Sequence, residues 1–233
     1  MPSDRRELEE KLILAHRILA AAGVLQMNLG HASVRLPETD RVLILGHLHD
    51  VGKVFADTTV DDLSVMDLEG NHLEGDLEPP GERYIHTGIY KARADVGAVV
   101  HAHPFAAVAC TVAGRDIIPV GHWGTVFHPK VPVYPSSEQI ETQGMGEDVA
   151  KVLGKAPAVM LTHHGAAAAG AFLEQAVAVM LCLENTARLL AAASPMGAPT
   201  PIPPEQVHSG RAITLDRNSF WKTPWVYWSS RVS

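Results

Sequence analysis

Apolar residues recur at helical spacing from the start of the chain: Leu8, Leu12, Ala15, Ile18, Leu19 and Ala22 share one face, and Gly23 ends the run. This spacing predicts a helix over residues 7–22. The pattern then changes to short apolar runs broken by turn residues, which predicts strands at 34–36, 41–45 and 63–68. Residues 74–81 are acidic and proline-containing and read as a loop, after which Gly81 opens a helix carrying Glu82, Tyr84, Ile85, Ile89 and Tyr90. A buried strand is expected at 97–101, followed by a helix from Pro104, a position where the missing N–H costs nothing. Further strands are expected at 117–120, 131–134 and 158–162, with a short helix at 145–153 and a long one at 172–193. Strands and helices mix without a regular βαβ repeat, so the predicted class is α/β, with a mixed or antiparallel sheet between helices. Residues 1–233 read as one domain, in which 195–233 form a Pro-rich connection and an aromatic tail.

A chain of 233 residues buries a core without disulfides. Its net charge of −7 and the lack of a basic run argue against nucleic acid or an anionic membrane as partner. The most apolar stretch, 166–193, is interrupted by Glu174, Gln175, Glu184, Asn185 and Arg188, so it reads as a packed helix, not a membrane span. The charged opening Met1-Pro2-Ser3-Asp4-Arg5-Arg6 leads directly into a helical pattern, so no secretory leader is expected. Cys110 and Cys182 lie in apolar surroundings and read as buried free thiols of a cytoplasmic protein. The thirteen histidines change this ordinary picture, because they cluster as His47/His49, His101/His103, His122/His128 and His163/His164.

Residues i and i+2 of a strand point to one face, so His101-Ala102-His103 at a strand end sets two imidazoles side by side. A third ligand would complete the three-ligand, open-position arrangement of catalytic metal sites. The donor closest in character is His163-His164-Gly165, also at a strand end, where the glycine permits a sharp turn. On spacing alone either histidine of that pair can serve.

The string Glu82 … His86 … Ile89-Tyr90-Lys91-Ala92-Arg93-Ala94-Asp95-Val96 … Val99-Val100-His101-Ala102-His103-Pro104, followed by Leu161 … His164-Gly165, resembles the class II aldolase/adducin family. Asn28, Gly30 and Ser33-Val34-Arg35 look like its glycine-rich substrate loop, Glu184-Asn185-Thr186-Ala187 fits its late helix, and the resemblance spans residues 8–193. It implies an α/β/α sandwich around a mostly antiparallel sheet, and a homotetramer with active sites between subunits. It also implies one divalent metal ion (Zn, Mn, Fe or Co) on His101, His103 and His164, since the family's third ligand immediately precedes the glycine. Glu82 matches the family's acid/base glutamate; a helix-N-terminal Glu favoured by the dipole is the plainer reading.

The sugar-phosphate members carry two serines just before that glutamate, whereas this chain has Pro80-Gly81, and the loop asparagine is replaced by His31. The Pro-Ser-Ser-Glu string at 135–138 lies after the His pair and reads as a turn. Gly121-His122-Trp123 and a tail with Trp221, Trp225, Tyr227 and Trp228 add imidazole and flat aromatic surface. The pattern resembles the branch that decarboxylates hydroxylated aromatic or pyridine dicarboxylates, with enolate-like charge left on the ring as CO2 departs. Glu82, His31 and His122 are then the candidate proton donors, and Ser33, Gly81, Trp123 and Tyr227 the candidate contacts to a small carboxylated substrate. Two alternatives stand beside it: an aldolase or epimerase of a hydroxy-carbonyl compound, and a non-catalytic adducin-like module. The module is disfavoured because Glu82 and all three histidines are kept.

Overall fold

The computed structural model describes residues 5–37, 39–207 and 218–232; residues 208–217 of the expected Pro-rich connection, and the side chain of Phe220 in the expected tail, lie outside the described residues. Eight strands, β1 (His31–Arg35), β2 (Arg41–Leu45), β3 (Leu63–Asp67), β4 (His72–Glu74), β5 (Ala98–Ala102), β6 (Val133–Tyr134), β7 (Ala158–Leu161) and β8 (Gly165–Gly170), form one sheet. Their order is β4-β3-β2-β1-β5-β8-β7-β6. Only β6–β7 is parallel, so the sheet is mixed but mostly antiparallel.

Side-chain alternation divides the core between the two faces of the sheet. On one face Leu43, Leu45, Val100, Met160 and Ala168 pack against α1 (Arg5–Ala21), α3 (Phe105–Val112) and α5 (Leu173–Ala193). On the other, Val42, Ile44, Val99, Val159 and Ala167 pack against α2 (Arg83–Ala92) and α4 (Gln143–Leu153). Helices α2 and α4 cross with almost no separation, because a Cβ at Gly88 would strike the Gly146 backbone and one at Gly146 would strike Tyr84. This close crossing fixes the head of α2, where Glu82 stands. On the opposite face His16 ties α1 to the sheet: its Nδ1–H donates to the Leu12 carbonyl at 2.7 Å and its Nε2 accepts the Ala32 N–H at 2.9 Å.

The structure differs from the sequence expectation at four places. Residues 117–120 form no strand: Pro119 lacks an N–H, and among the described residues the segment accepts isolated backbone bonds, from Val131 to Ile117 and from Ile202 to Pro119, without a ladder. Strand β4 was not expected and reaches the expected loop only at Glu74, and β8, sequence GAAAAG, was not expected at all. The aromatic tail forms a helix, α6 (Asn218–Val232), despite Pro224 inside it. The helix Leu173–Met196 is long and apolar enough to cross a membrane by composition, yet 67% of its most apolar window is buried against the rest of the fold. Cys110 and Cys182 are free and buried, as expected.

Candidate metal centre and cavity

Strand β5 ends in His101 and Ala102, and His103 N–H donates to the Val24 carbonyl at 3.1 Å, keeping the chain extended one residue further. His101 and His103 therefore share the α2 side of the sheet, with ring centroids 4.9 Å apart. The tight turn between β7 and β8 separates the second pair. His163 takes the left-handed conformation (φ 58), is exposed, and gives its N–H to Thr111 Oγ1 at 2.9 Å. His164 turns inward, its ring 5.2 Å from His101 and 5.3 Å from His103.

Glu82 occupies the N-cap position of α2 but makes no capping hydrogen bond. Instead Oε1 accepts the Ile140 N–H at 2.9 Å, while Oε2 lies 3.3 Å from both His101 Nε2 and His164 Nε2. One ligand atom from each of Glu82, His101, His103 and His164 falls within 4.8 Å of all the others. Burial works against ionisation of Glu82, but the contacts with His101 and His164 outweigh it and hold the carboxyl well below its usual range. Burial, with the neighbouring His101 and His164, lowers the His103 pKa to about 4, which leaves that ring neutral and able to ligate.

The donors fit a divalent cation. His101 Nε2, His103 Nδ1 and His164 Nδ1 are buried without hydrogen-bond partners, a costly condition for polar atoms with no further role. His101 Nδ1 lies 3.1 Å from the Ala166 carbonyl, which accepts but cannot donate, so Nδ1 carries a proton and Nε2, on the Glu82 side, is the nitrogen left to ligate a cation. Three imidazoles and a carboxylate, without thiolate, suit Zn, Mn, Fe or Co.

A cavity of about 510 Å³ opens beside the cluster, with Glu82, His103 and His164 in its wall. His31 and Gly81 also line it, but Ser33, His122, Trp123 and Tyr227 do not. Ser33, expected to contact substrate, is fully buried, with its hydroxyl engaged by His86 and Tyr90. Trp123 and Tyr227 instead line a separate hollow against α5. Sequence reasoning missed Gln139 and Glu141, which flank the bond to Glu82 and line the cavity from the loop before α4. Nothing in their local pattern marks them, since their place depends on contact with a residue 58 positions away.

Residues 10–191 match the family described as Class II Aldolase and Adducin N-terminal domain. The chain belongs to that family. Among curated relatives, a 3,4-dihydroxyphthalate decarboxylase of Arthrobacter keyseri is 34% identical, over 77% of this chain and 76% of that protein. A second 3,4-dihydroxyphthalate decarboxylase, from a Terrabacter strain, is 31% identical over 83% of this chain and 84% of its own length. Among solved structures, the L-fuculose 1-phosphate aldolase from Glaciozyma antarctica superposes with a TM-score of 0.83 at 24% identity, covering 97% of this chain and 88% of that one. The fold is thus the class II aldolase fold.

Proposed function

We propose that this protein is a metal-dependent decarboxylase of a hydroxylated aromatic or pyridine dicarboxylate, cytoplasmic and working as a homotetramer. The observation that carries the reading is the lining of the cavity. Five histidines face it, and among the described residues no Ser, Thr, Lys or Arg does. A phosphate would find none of the hydroxyl or cationic donors that usually hold it. Carboxylates and ring hydroxyls suit imidazoles beside a cation. The two relatives named as 3,4-dihydroxyphthalate decarboxylases support the same substrate class.

In this reading His101, His103 and His164 hold one divalent ion, which supplies Lewis-acid stabilisation of the charge left on the substrate when CO2 departs. Glu82 moves a proton at Oε2, the oxygen that faces His101 and His164, because Oε1 is tethered to Ile140. His31 meets the substrate from the wall of the cavity. Trp123 and Tyr227, which lie away from their own chain's cavity, serve a neighbouring subunit's site, as does His122.

The deciding experiment measures CO2 release from 3,4-dihydroxyphthalate and related hydroxylated aromatic and pyridine dicarboxylates, with L-fuculose 1-phosphate as comparison. The expected result is turnover of a dicarboxylate and none of the phosphosugar. Efficient cleavage of the phosphosugar would replace the decarboxylase with the aldolase alternative.

A further inference from the structure

Behind the cavity, on the α2 side of β1, lies an unbroken hydrogen-bonded line of four side chains. Tyr90 Oη and Ser33 Oγ are 2.8 Å apart, Ser33 Oγ and His86 Nδ1 2.7 Å, and His86 Nε2 and His31 Nδ1 2.7 Å. Ser33 and His86 are fully buried and Tyr90 nearly so; of the four only His31 also lines the cavity. His31 is the cross-strand partner of His101, with ring centroids 5.2 Å apart, yet its nitrogens are not part of the metal-binding group.

The direction of donation along the line follows from its far end. Burial raises the Tyr90 pKa, so the phenol keeps its proton. Among the described residues, Ser33 Oγ is the side-chain acceptor within reach of that proton. Ser33 must then donate to His86 Nδ1, which leaves the His86 proton on Nε2, aimed at His31 Nδ1. With Nδ1 accepting, the neutral His31 ring carries its proton on Nε2. His31 is the one ring of the line that borders the cavity, so this proton is the one a ligand there can meet. The opposite direction would leave the phenol proton buried without an acceptor, at a cost of about 1–3 kcal/mol.

We infer that Tyr90, Ser33 and His86 are positioning residues that hold His31 in its Nε2–H form, so that it donates a hydrogen bond to an anionic oxygen of the substrate and does not join the metal ligands. The geometry accounts for both halves. Nδ1 is engaged by His86, and a protonated Nε2 has no lone pair to offer a cation. The identity of the oxygen, a carboxylate, rests on the decarboxylase reading; the tautomer does not.

Nitrogen NMR of the zinc-loaded protein labelled with ¹⁵N-histidine tests it, with the His31 signals assigned by their loss in His31→Gln. An unprotonated Nδ1 and a protonated Nε2 at neutral pH are expected. A protonated His31 Nδ1 in the wild type overturns the inference, with no need for any variant to fold. In Ser33→Ala the line is cut, and His31 is expected to populate both tautomers. Calorimetric binding of 3,4-dihydroxyphthalate is expected to weaken about tenfold in Ser33→Ala and less in Tyr90→Phe, while catechol, which lacks carboxylates, binds each variant as it binds the wild type. Unchanged dicarboxylate binding in a Ser33→Ala protein whose tautomer has shifted would also overturn the proposed role. If the wild-type tautomer is as expected but the cavity takes a phosphosugar and no dicarboxylate, the positioning inference stands and the substrate reading falls.

Discussion

Two carboxylates of this molecule stand in contrasting surroundings, Glu82 at the head of α2 and Glu184 in the middle of α5. Glu184 is 3% exposed, and both of its oxygens are engaged. Oε2 accepts the Ala106 and Ala107 N–H groups at 3.0 and 3.2 Å, and Oε1 takes Arg188 at 2.8 Å. It therefore caps the N-terminus of α3 from another helix, satisfying donors that a helix start leaves open. Glu82 has only one oxygen tied, while the other faces imidazoles whose own nitrogens lack partners. The balanced carboxylate holds elements together. The unbalanced one is the candidate for chemistry, because unpaired buried nitrogens around a charge are costly unless something else completes them.

Removing the imidazoles is the harshest way to break this contrast. His101→Ala, His103→Ala and His164→Ala should each lose most of a metal content of about one ion per chain, read by elemental analysis, because three ligands leave no redundancy. His163→Ala should keep the ion; the reverse outcome within that pair would overturn the assignment.

Glu82→Gln separates chemistry from structure. Turnover should fall about 10²- to 10⁴-fold while metal content and melting temperature stay near wild type, since an amide fills the same space but exchanges no proton. Near-normal turnover would move the role to His31 or His122.

Glu184→Ala should do the opposite. It leaves two backbone donors and Arg188 without their acceptor, so unfolding in urea should show a loss of about 2–4 kcal/mol. Metal content of the folded protein should persist. If Glu184→Ala instead empties the site while stability holds, the two carboxylates are not divided as described.

The mildest test is pH. His16, which pins α1 to β1 opposite the site, is fully buried, and desolvation lowers its pKa to about 4 from an ordinary 6.5. A depressed histidine pKa means that the unfolded chain binds the proton more readily. The stability from His16 is therefore whole above pH 6.5 and drains away as pH falls towards 4. The full loss is about 3 kcal/mol. Urea midpoints at pH 7 and 4.5 should diverge less in His16→Gln than in wild type, and equal divergence would refute the role.

Helix α5 and the placement of His101 beside His103 were legible because their information is local. A run of apolar residues at helical spacing, stopped by Ser194-Pro195, sets the first, and the two-residue strand repeat sets His101 beside His103. The resemblance then separated His164 from His163; the fold turns His164 towards His101 and His103 and leaves His163 exposed. Strand β8 was invisible because Gly165–Gly170 carries no branched or aromatic residue. Only its packing between neighbouring strands and α5 makes it a strand. The line from Tyr90 to His31 escaped for another reason, since its members come together across 53 to 57 positions. Tail helix α6 was masked by Pro224 and by aromatics that form helices poorly.

The bond from His101 to the Ala166 carbonyl has a consequence for how this protein can change. In many metal proteins the group that orients a ligand histidine is a carboxylate, which one codon change can delete and mild acid can neutralise. Here that group is main chain on an alanine strand. Every amino acid supplies the same carbonyl, so no single substitution can take it away, and no accessible pH titrates it. Random mutagenesis would therefore reach this support only through substitutions that move the strand, as a side chain on Gly165 would by meeting the Ala102 backbone, and never by deleting the acceptor itself.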